Sequence, residues 1–188
     1  MITNESIMEA ALKMVAKNGI KGSTTRQLAE AAGINEATIF KKFKNKENLI
    51  HLTLERQIES IKLEIDQFFA PDFPDRETFL KAASEFMLSL YDKYRDFMVI
   101  SVKEMGSKDM EFINPSVIEY LYEKIDQKVK QVIGRNERHC AESEAVSLVL
   151  NSVILLTMVE KVNDDIYERP AKIQVSAETL TGVLEKLL

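Results

Sequence analysis

The sequence is poor in the residues that form disulfides and in those that interrupt helices. Its one cysteine, Cys140, has no partner within the chain, which fits a reducing compartment. Six Gly, four Pro and no Trp in 188 residues are few for a protein built from strands and tight turns. Glu, Lys, Leu, Ala and Ile at helical spacing fill most of the remainder. The sequence therefore predicts an all-α protein.

Long hydrophobic runs are also missing. A membrane-spanning helix needs roughly 18 or more apolar residues in a row. The most apolar stretch, residues 146–159, is interrupted by Ser147, Asn151, Ser152 and Thr157. The N-terminal residues lack the basic segment and continuous apolar run of a signal peptide. We expect a soluble, cytoplasmic protein with no membrane partner.

Residues that perform catalysis or bind metals are scarce. His139 and Cys140 are adjacent, so on a helix their side chains diverge by about 100° and cannot act as a base and a nucleophile. No Cys and His spacing supplies zinc ligands, and no Gly-rich phosphate loop is present. Glu160, Asp164 and Asp165 could gather a cation, although a solvated helix end explains them more simply. We predict no enzyme, no metal and no cofactor; catalysis is the alternative from another class.

Charge is distributed unevenly along the chain. The net charge of −5 alone argues against a nucleic-acid-binding protein. Residues 1–50, however, contain eight Lys and Arg against five Asp and Glu, a net charge of +3, and the remainder has 17 against 25, a net of −8. A solvated charged surface would show the same pattern. The asymmetry nevertheless favours a basic N-terminal part that meets phosphate and an acidic body that does not.

Apolar periodicity and capping residues predict helices along the whole chain. Thr3 or Asn4 can cap the first helix, Thr24 and Thr25 the second and Asn35 the third, while Gly19 and Gly33 follow helix ends. Pro115 suits the first turn of a later helix. The predicted helices span about 4–18, 24–32, 36–43, 46–69, 76–94, 96–105, 115–134, 141–163 and 176–188, with residues 106–115 as a loop.

The segment TTRQLAEAAGINEATIFKKF, residues 24–43, contains two short helices around a miniature core. Small side chains at Ala29 and Ala32 allow the helices to approach closely, and Gly33 allows the positive φ of a sharp turn. The apolar positions that would pack between the helices are Leu28, Ala29, Ala32, Ile34, Ile39 and Phe43. This pattern is typical of a helix-turn-helix, whose second helix enters the major groove.

The longer segment TTRQLAEAAGINEATIFKKFKNKENLI resembles the N-terminal domain of the tetracycline-repressor (TetR) family of transcriptional regulators. The resemblance covers about Ile7 to Leu54 and includes the F-K-x-K-E-x-L pattern that opens the fourth helix. The rest of the chain matches the family only in length and helix order. The resemblance implies a DNA-binding domain at residues 1–47 and a helical effector-binding and dimerisation domain at residues 48–188.

The resemblance also implies roles for individual residues. Thr24, Thr25 and Arg26 would contact the DNA backbone, aided by the amides at the helix N-terminus. Lys42, Lys44 and Lys46 would meet phosphates. The candidates for base edges lie on the third helix: Asn35, Glu36, Ala37, Thr38 and Lys41. Ala37 or the Thr38 methyl suits a thymine methyl, and Lys41 suits guanine acceptors. The same residues admit plainer explanations, since Glu36 favours a helix N-terminus and Lys44 can simply be solvated.

Two positions depart from the family pattern. The family usually has Tyr where this chain has Phe40, so the packing is kept while a hydroxyl contact to phosphate is lost. His or Tyr is frequent at the position of Lys42, where this chain adds a positive charge. Both positions stay among the DNA-binding candidates.

Helix-turn-helix proteins generally bind DNA as two-fold dimers, because one short helix reads few bases. The resemblance places the interface on the last two long helices. The predicted helix over 141–163 is apolar around much of its circumference, which a monomer would leave partly exposed. A buried core helix is the alternative. The candidate interface residues are Val146, Val149, Leu150, Val153, Ile154, Leu180 and Leu184.

The middle of the chain concentrates aromatic and Met side chains, which suit an apolar ligand cavity, although helical cores use the same residues. The candidates are Phe68, Phe86, Met87, Tyr91, Phe97, Met98, Met105, Phe112 and Tyr120. The predicted partners are therefore an operator duplex, a second copy of the chain and a small-molecule effector. The fourth helix would act as a lever between ligand and DNA. The resemblance implies a homodimeric repressor that a small, largely apolar ligand releases from a palindromic operator, although the residues alone also permit activation. The other alternative is a regulator-like protein that acts through protein partners without sequence-specific DNA binding.

Overall fold

The computed structural model describes residues 2–113, 115–132, 140–172 and 176–187. The regular elements in these ranges are helical, which confirms the predicted all-α class, with an N-terminal helix-turn-helix and a C-terminal helical domain. A 3₁₀ turn, Lys108–Met110, lies between α6 and α7. The helices are α1 Asn4–Asn18, α2 Thr25–Ala31, α3 Glu36–Phe43, α4 Lys46–Phe69, α5 Arg76–Lys93, α6 Arg95–Lys103, α7 Val117–Val132, α8 Cys140–Ile166 and α9 Ala177–Leu187.

Most observed helix ends lie within one to three residues of the predicted ones, and the differences between α5 and α7 are the most informative. The helix predicted at 96–105 spans Arg95–Lys103. The predicted 106–115 loop contains the 3₁₀ turn Lys108–Met110, because Ser107 accepts a hydrogen bond from the Asp109 amide. Pro115 does not occupy the first turn of α7, since that helix begins at Val117, where Ser116 and Glu119 cap each other.

Two compact units make up the described chain. The first consists of residues 1–60 and 94–114, and the second of residues 61–93 and 115–188. The N-terminal part of α4 therefore belongs to the first unit and its C-terminal part to the second. The predicted functional boundary at 47/48 does not coincide with this division, because α6 packs against α1 and joins the first unit.

The first unit is built around the helix-turn-helix. α1 packs against α2 and α6, and α2 packs against α3. Its core consists of fully buried side chains from five helices, namely Ile7, Leu28, Ile39, Leu49, Leu54, Phe97 and Ile100. Burial of this apolar area is the main force that holds the two short helices in place, since helices of seven and eight residues are not stable alone.

In the second unit, α5 packs against α9 and α7 packs against α8. A stacked pair, Phe68 and Phe86 at 4.1 Å between ring centroids, extends into an aromatic cluster with Phe69, Phe73 and Phe79. The C-terminal end of α8 is tied down by Asp164, which accepts hydrogen bonds from the Lys172 amide and the Arg169 guanidinium. These two donors hold the pKa of Asp164 below its ordinary value.

Helix α8 carries an apolar stripe that its own unit does not cover. Leu148 and Leu156 are 60% and 56% exposed, and Val149 and Leu155 are exposed beside them. Positions 148, 152, 155 and 156 share one helix face. The segment Ser143–Ile166 is long and apolar enough by composition to cross a membrane; an 18-residue window of it has a mean hydropathy of 1.7 and is 29% buried. Core and interface helices of soluble proteins share those properties.

Candidate nucleic-acid interface

The N-terminus of α2 is fixed by a reciprocal cap. The Thr24 side chain accepts a hydrogen bond from the Gln27 amide at 3.2 Å, and the Thr24 amide donates to Gln27 Oε1 at 2.9 Å. This capping box satisfies amides that the first turn would otherwise leave unpaired. Thr24 is exposed and Thr25 half-buried. Both predicted backbone-contacting threonines therefore stand at a rigid helix start.

Arg26 points from the first turn of α2 into solvent. Its Nε donates to Glu30 Oε1 at 2.9 Å, one turn further along the helix. This hydrogen bond raises the pKa of Arg26 above its ordinary value. A guanidinium has five N–H donors, so this bond leaves others for a phosphate oxygen. Because both side chains are largely exposed, the ion pair itself stabilises the helix little.

The turn and the N-terminus of α3 show the predicted helix-turn-helix geometry. Gly33 has φ of 65°, as the turn requires. Asn35 is the N-cap of α3, and its Oδ1 accepts from the Thr38 amide at 2.9 Å and from the Thr38 hydroxyl at 2.8 Å. The side-chain oxygen Oδ1 of Asn35 is thus occupied by the cap. We therefore expect Asn35 to order the start of α3 rather than to read a base.

The outer face of α3 brings together most of the predicted base-reading residues. Ile39 and Phe43 are buried and anchor the helix to the unit. Thr38 is half-buried beside them. The exposed residues on this helix are Glu36, Ala37, Phe40, Lys41 and Lys42. Phe40, with 53% of its surface exposed, adds apolar area to this face.

The lysines around α3 have different surroundings. Lys42 Nζ donates to Asn4 Oδ1 at 2.7 Å and links α3 to the start of α1. The Lys46 side chain is 19% exposed, and its Nζ lies 3.5 Å from the Ile20 carbonyl. Lys44, with φ of 71°, ends α3 in a conformation that sequence analysis did not foresee. The Asn48 side-chain amide satisfies the Phe43 carbonyl at that end, at 2.8 Å.

The ligand candidates are divided between the two units. Phe97, Met98, Met105 and Phe112 belong to the first unit, where Phe97 and Met98 are core residues and Met105 is 63% exposed. Phe112 contacts His51 in a cleft of about 530 Å³. Phe68, Phe86, Met87, Tyr91 and Tyr120 belong to the second unit. Only Met87 and Tyr91 among them line its small internal cavity of about 20 Å³.

The residues predicted for the dimer interface differ in their exposure. Val146 and Leu150 are buried within their own unit, so they belong to its core and not to an exposed face. Val149 is exposed, and Val153 and Leu180 are half-buried. The side chains of Ile154 and Leu184 lie outside the described residues. The exposed stripe instead contains Leu148, Leu155 and Leu156, which sequence analysis did not select because an apolar helix gives no clue to its outward side.

The N-terminal part of the chain is similar to a known protein family. A model of the family described as bacterial regulatory proteins, tetR family, matches residues 7–52. That range contains the capping box, the Gly33 turn and the exposed face of α3. Residues 7–52 therefore match the N-terminal domain of this family of regulators. The resemblance predicted from residues 24–50 is therefore confirmed.

Two relatives match stretches of about 50 residues of this chain. The uncharacterized HTH-type transcriptional regulator YvkB of Bacillus subtilis is 44% identical over 52 residues, which is 28% of each protein. The tetracycline repressor protein class D of Escherichia coli is 41% identical over 49 residues, 26% of this chain and 22% of the repressor. The matches thus span about a quarter of these relatives.

The fold of the whole chain is similar to that of FadR, a transcriptional regulator from Bacillus subtilis solved in complex with stearoyl-CoA. The TM-score is 0.70 at 16% identity, covering 98% of this chain and 97% of that one. The regulator PfmR of Thermus thermophilus gives 0.66 at 13% identity over 100% and 96%. At these identities the likeness concerns the fold. Among the described residues, no group of His, Cys, Asp and Glu could hold a metal ion.

Proposed function

We propose that this cytoplasmic protein is a homodimeric transcriptional regulator that binds a palindromic operator through residues 1–47, with residues 48–188 supplying dimerisation and effector binding. The observation that carries the proposal is the exposed face of α3, held by a capped N-terminus and a buried Ile39 and Phe43. A helix presented in this way fits the major groove, and its leading side chains would meet base edges. Repression is the usual role in the family.

Ala37, Thr38 and Lys41 would read bases, and Thr24, Thr25, Arg26, Lys42 and Lys46 would hold phosphates. Phe40 supplies apolar area at the same face without the hydroxyl that is common in the family. Phosphate contacts fix orientation and carry most of the salt-dependent affinity, while base contacts give the preference for one sequence.

Dimerisation is supported by the apolar stripe of α8. Leu148, Val149, Leu155 and Leu156 leave exposed apolar surface on α8 over about two and a half turns, on either side of Ser152. Exposed apolar patches rimmed by polar residues on soluble proteins often mark an interface. A second copy of the chain is the occupant that brings two recognition helices to successive major grooves, about 34–36 Å apart.

Effector binding in the second unit is supported by the cavity that Met87 and Tyr91 line between α5, α8 and α9. A volume of about 20 Å³ holds no more than a water molecule, so an apolar ligand must select a more open arrangement of these helices. The stearoyl-CoA in the FadR structure is a precedent for a ligand in this fold. We propose that such opening releases the operator through α4, which is shared by both units.

The salt dependence of DNA affinity tests this function against the protein-partner alternative. For a duplex with a palindromic site, the logarithm of the binding constant should fall linearly with the logarithm of salt concentration. Lys42→Ala should reduce the slope by about 1, because one phosphate contact is lost. Lys13→Ala removes an exposed lysine of α1 outside the proposed interface and should leave the slope unchanged. Fluorescence anisotropy measures both; binding that is absent or insensitive to salt would favour the protein-partner alternative.

A further inference from the structure

The last residue of α6 forms hydrogen bonds with the C-terminal turn of α1. Lys103 Nζ donates to the Ala16 carbonyl at 2.7 Å and to the Lys17 carbonyl at 3.2 Å. Both carbonyls lie in the last turn of α1, where the helix offers them no partner. A positive charge is also favoured there, because the C-terminal end of a helix carries partial negative charge. The Lys103 ammonium therefore caps a helix that lies far away in sequence.

The next residue holds the turn that follows α1. Glu104 Oε1 accepts a hydrogen bond from the Ile20 amide at 2.9 Å. Gly19, with φ of 76°, lies against the same oxygen, and a Cβ built at position 19 would be 3.3 Å from it. Glycine at position 19 thus allows both the positive φ and the close approach of the Glu104 carboxylate. Hydrogen bonds with a charged partner are stronger than neutral ones.

This turn leads directly into the proposed DNA-contacting residues. Ser23 Oγ donates to the Gly19 carbonyl at 2.8 Å, and Thr24 then begins the capping box of α2. Glu104 and Ser23 therefore bind opposite sides of the peptide group between Gly19 and Ile20, shortly before the start of α2.

We propose that Lys103 and Glu104 are positioning residues for operator recognition. They touch no DNA themselves, and they hold the α1–α2 turn so that α2 and α3 meet phosphates and bases in register. This inference rests on the proposed function. It predicts that loss of the Lys103 or the Glu104 contact lowers the affinity for the operator. The affinity for an unrelated duplex, which depends on the electrostatic attraction of lysines to phosphates, should stay the same.

The test compares affinities for an operator duplex and for an unrelated duplex of equal length. Lys103→Met should weaken operator binding about tenfold, which corresponds to one charged hydrogen bond, with unrelated-duplex binding within about twofold of the wild type. Lys103→Arg keeps a cationic donor and should restore most of the loss. Lys108→Met removes the same charge from an exposed site in the same segment and should leave both affinities unchanged.

Substitutions of Glu104 test the proposal independently of Lys103. Glu104→Ala should lower operator preference, whereas Glu104→Gln keeps an acceptor oxygen and should stay near the wild type. Circular dichroism checks that each variant is folded, and if Lys103→Met does not fold, the two Glu104 variants decide the result. Unchanged operator affinity, or equal losses on both duplexes, would overturn the inference. A wild type without operator preference would instead refute the proposed function, and this inference with it.

Discussion

Replacing Leu148 and Leu156 together by Glu should convert the protein to a folded monomer and weaken operator binding by about a hundredfold or more. The two leucines are 60% and 56% exposed in the chain alone, so glutamates cost the monomer little. In the proposed dimer each glutamate would be buried in an apolar contact, where an unpaired charge costs several kcal/mol. A monomer would present one recognition helix and lose the contacts of the second half-site.

Sedimentation velocity measures the change in assembly, and anisotropy with an operator duplex measures the change in binding. Leu63→Glu is the matched control, since Leu63 is 57% exposed and lies on another helix, α4. That variant should stay dimeric and bind DNA like the wild type. If the double variant also stays dimeric with normal operator affinity, α8 does not form the interface.

Leu28→Ala should destabilise the first unit by about 3 kcal/mol, within the range measured for cavity-forming substitutions in cores. Leu28 is a fully buried residue of α2. Its truncation leaves a cavity that a helix of seven residues cannot close by moving. Operator affinity should fall with stability because α3 packs on α2.

Denaturant unfolding followed by circular dichroism, together with amide hydrogen exchange in α2 and α3, measures the loss. Leu52→Ala truncates a leucine of α4 that is 37% exposed and should cost less than about 1 kcal/mol. A Leu28→Ala variant as stable as the Leu52→Ala variant would mean that the helix-turn-helix is not held by this core.

Local patterns predicted the helix-turn-helix well because its elements are defined by neighbouring residues. Thr24, Gly33 and Asn35 act within three or four positions of themselves, and the sequence shows those positions directly. The same reasoning gave the buried set of Leu28, Ile39 and Phe43. Caps and short-range packing are thus readable without coordinates.

Long-range pairing was not readable in the same way. Lys103 and Glu104 meet α1 and its following turn across 84 to 87 residues, and nothing in their local sequence distinguishes them from other charged residues at a helix end. For α8, apolar residues on every side hide which side is inward, so Val146 and Leu150 were selected although they are buried. Aromatic content alone likewise grouped Phe97 and Phe112 with residues of the other unit.

The most direct test of sequence-specific DNA binding is selection of bound sequences from a pool of random duplexes. The wild type and a Thr38→Ala/Lys41→Ala variant, both shown to be folded dimers, would be compared at the same low salt. The account predicts a palindromic motif with wild type and no enriched motif with the variant, because the exposed face of α3 reads the bases. Recovery of no motif by dimeric wild type would contradict it and favour action through protein partners.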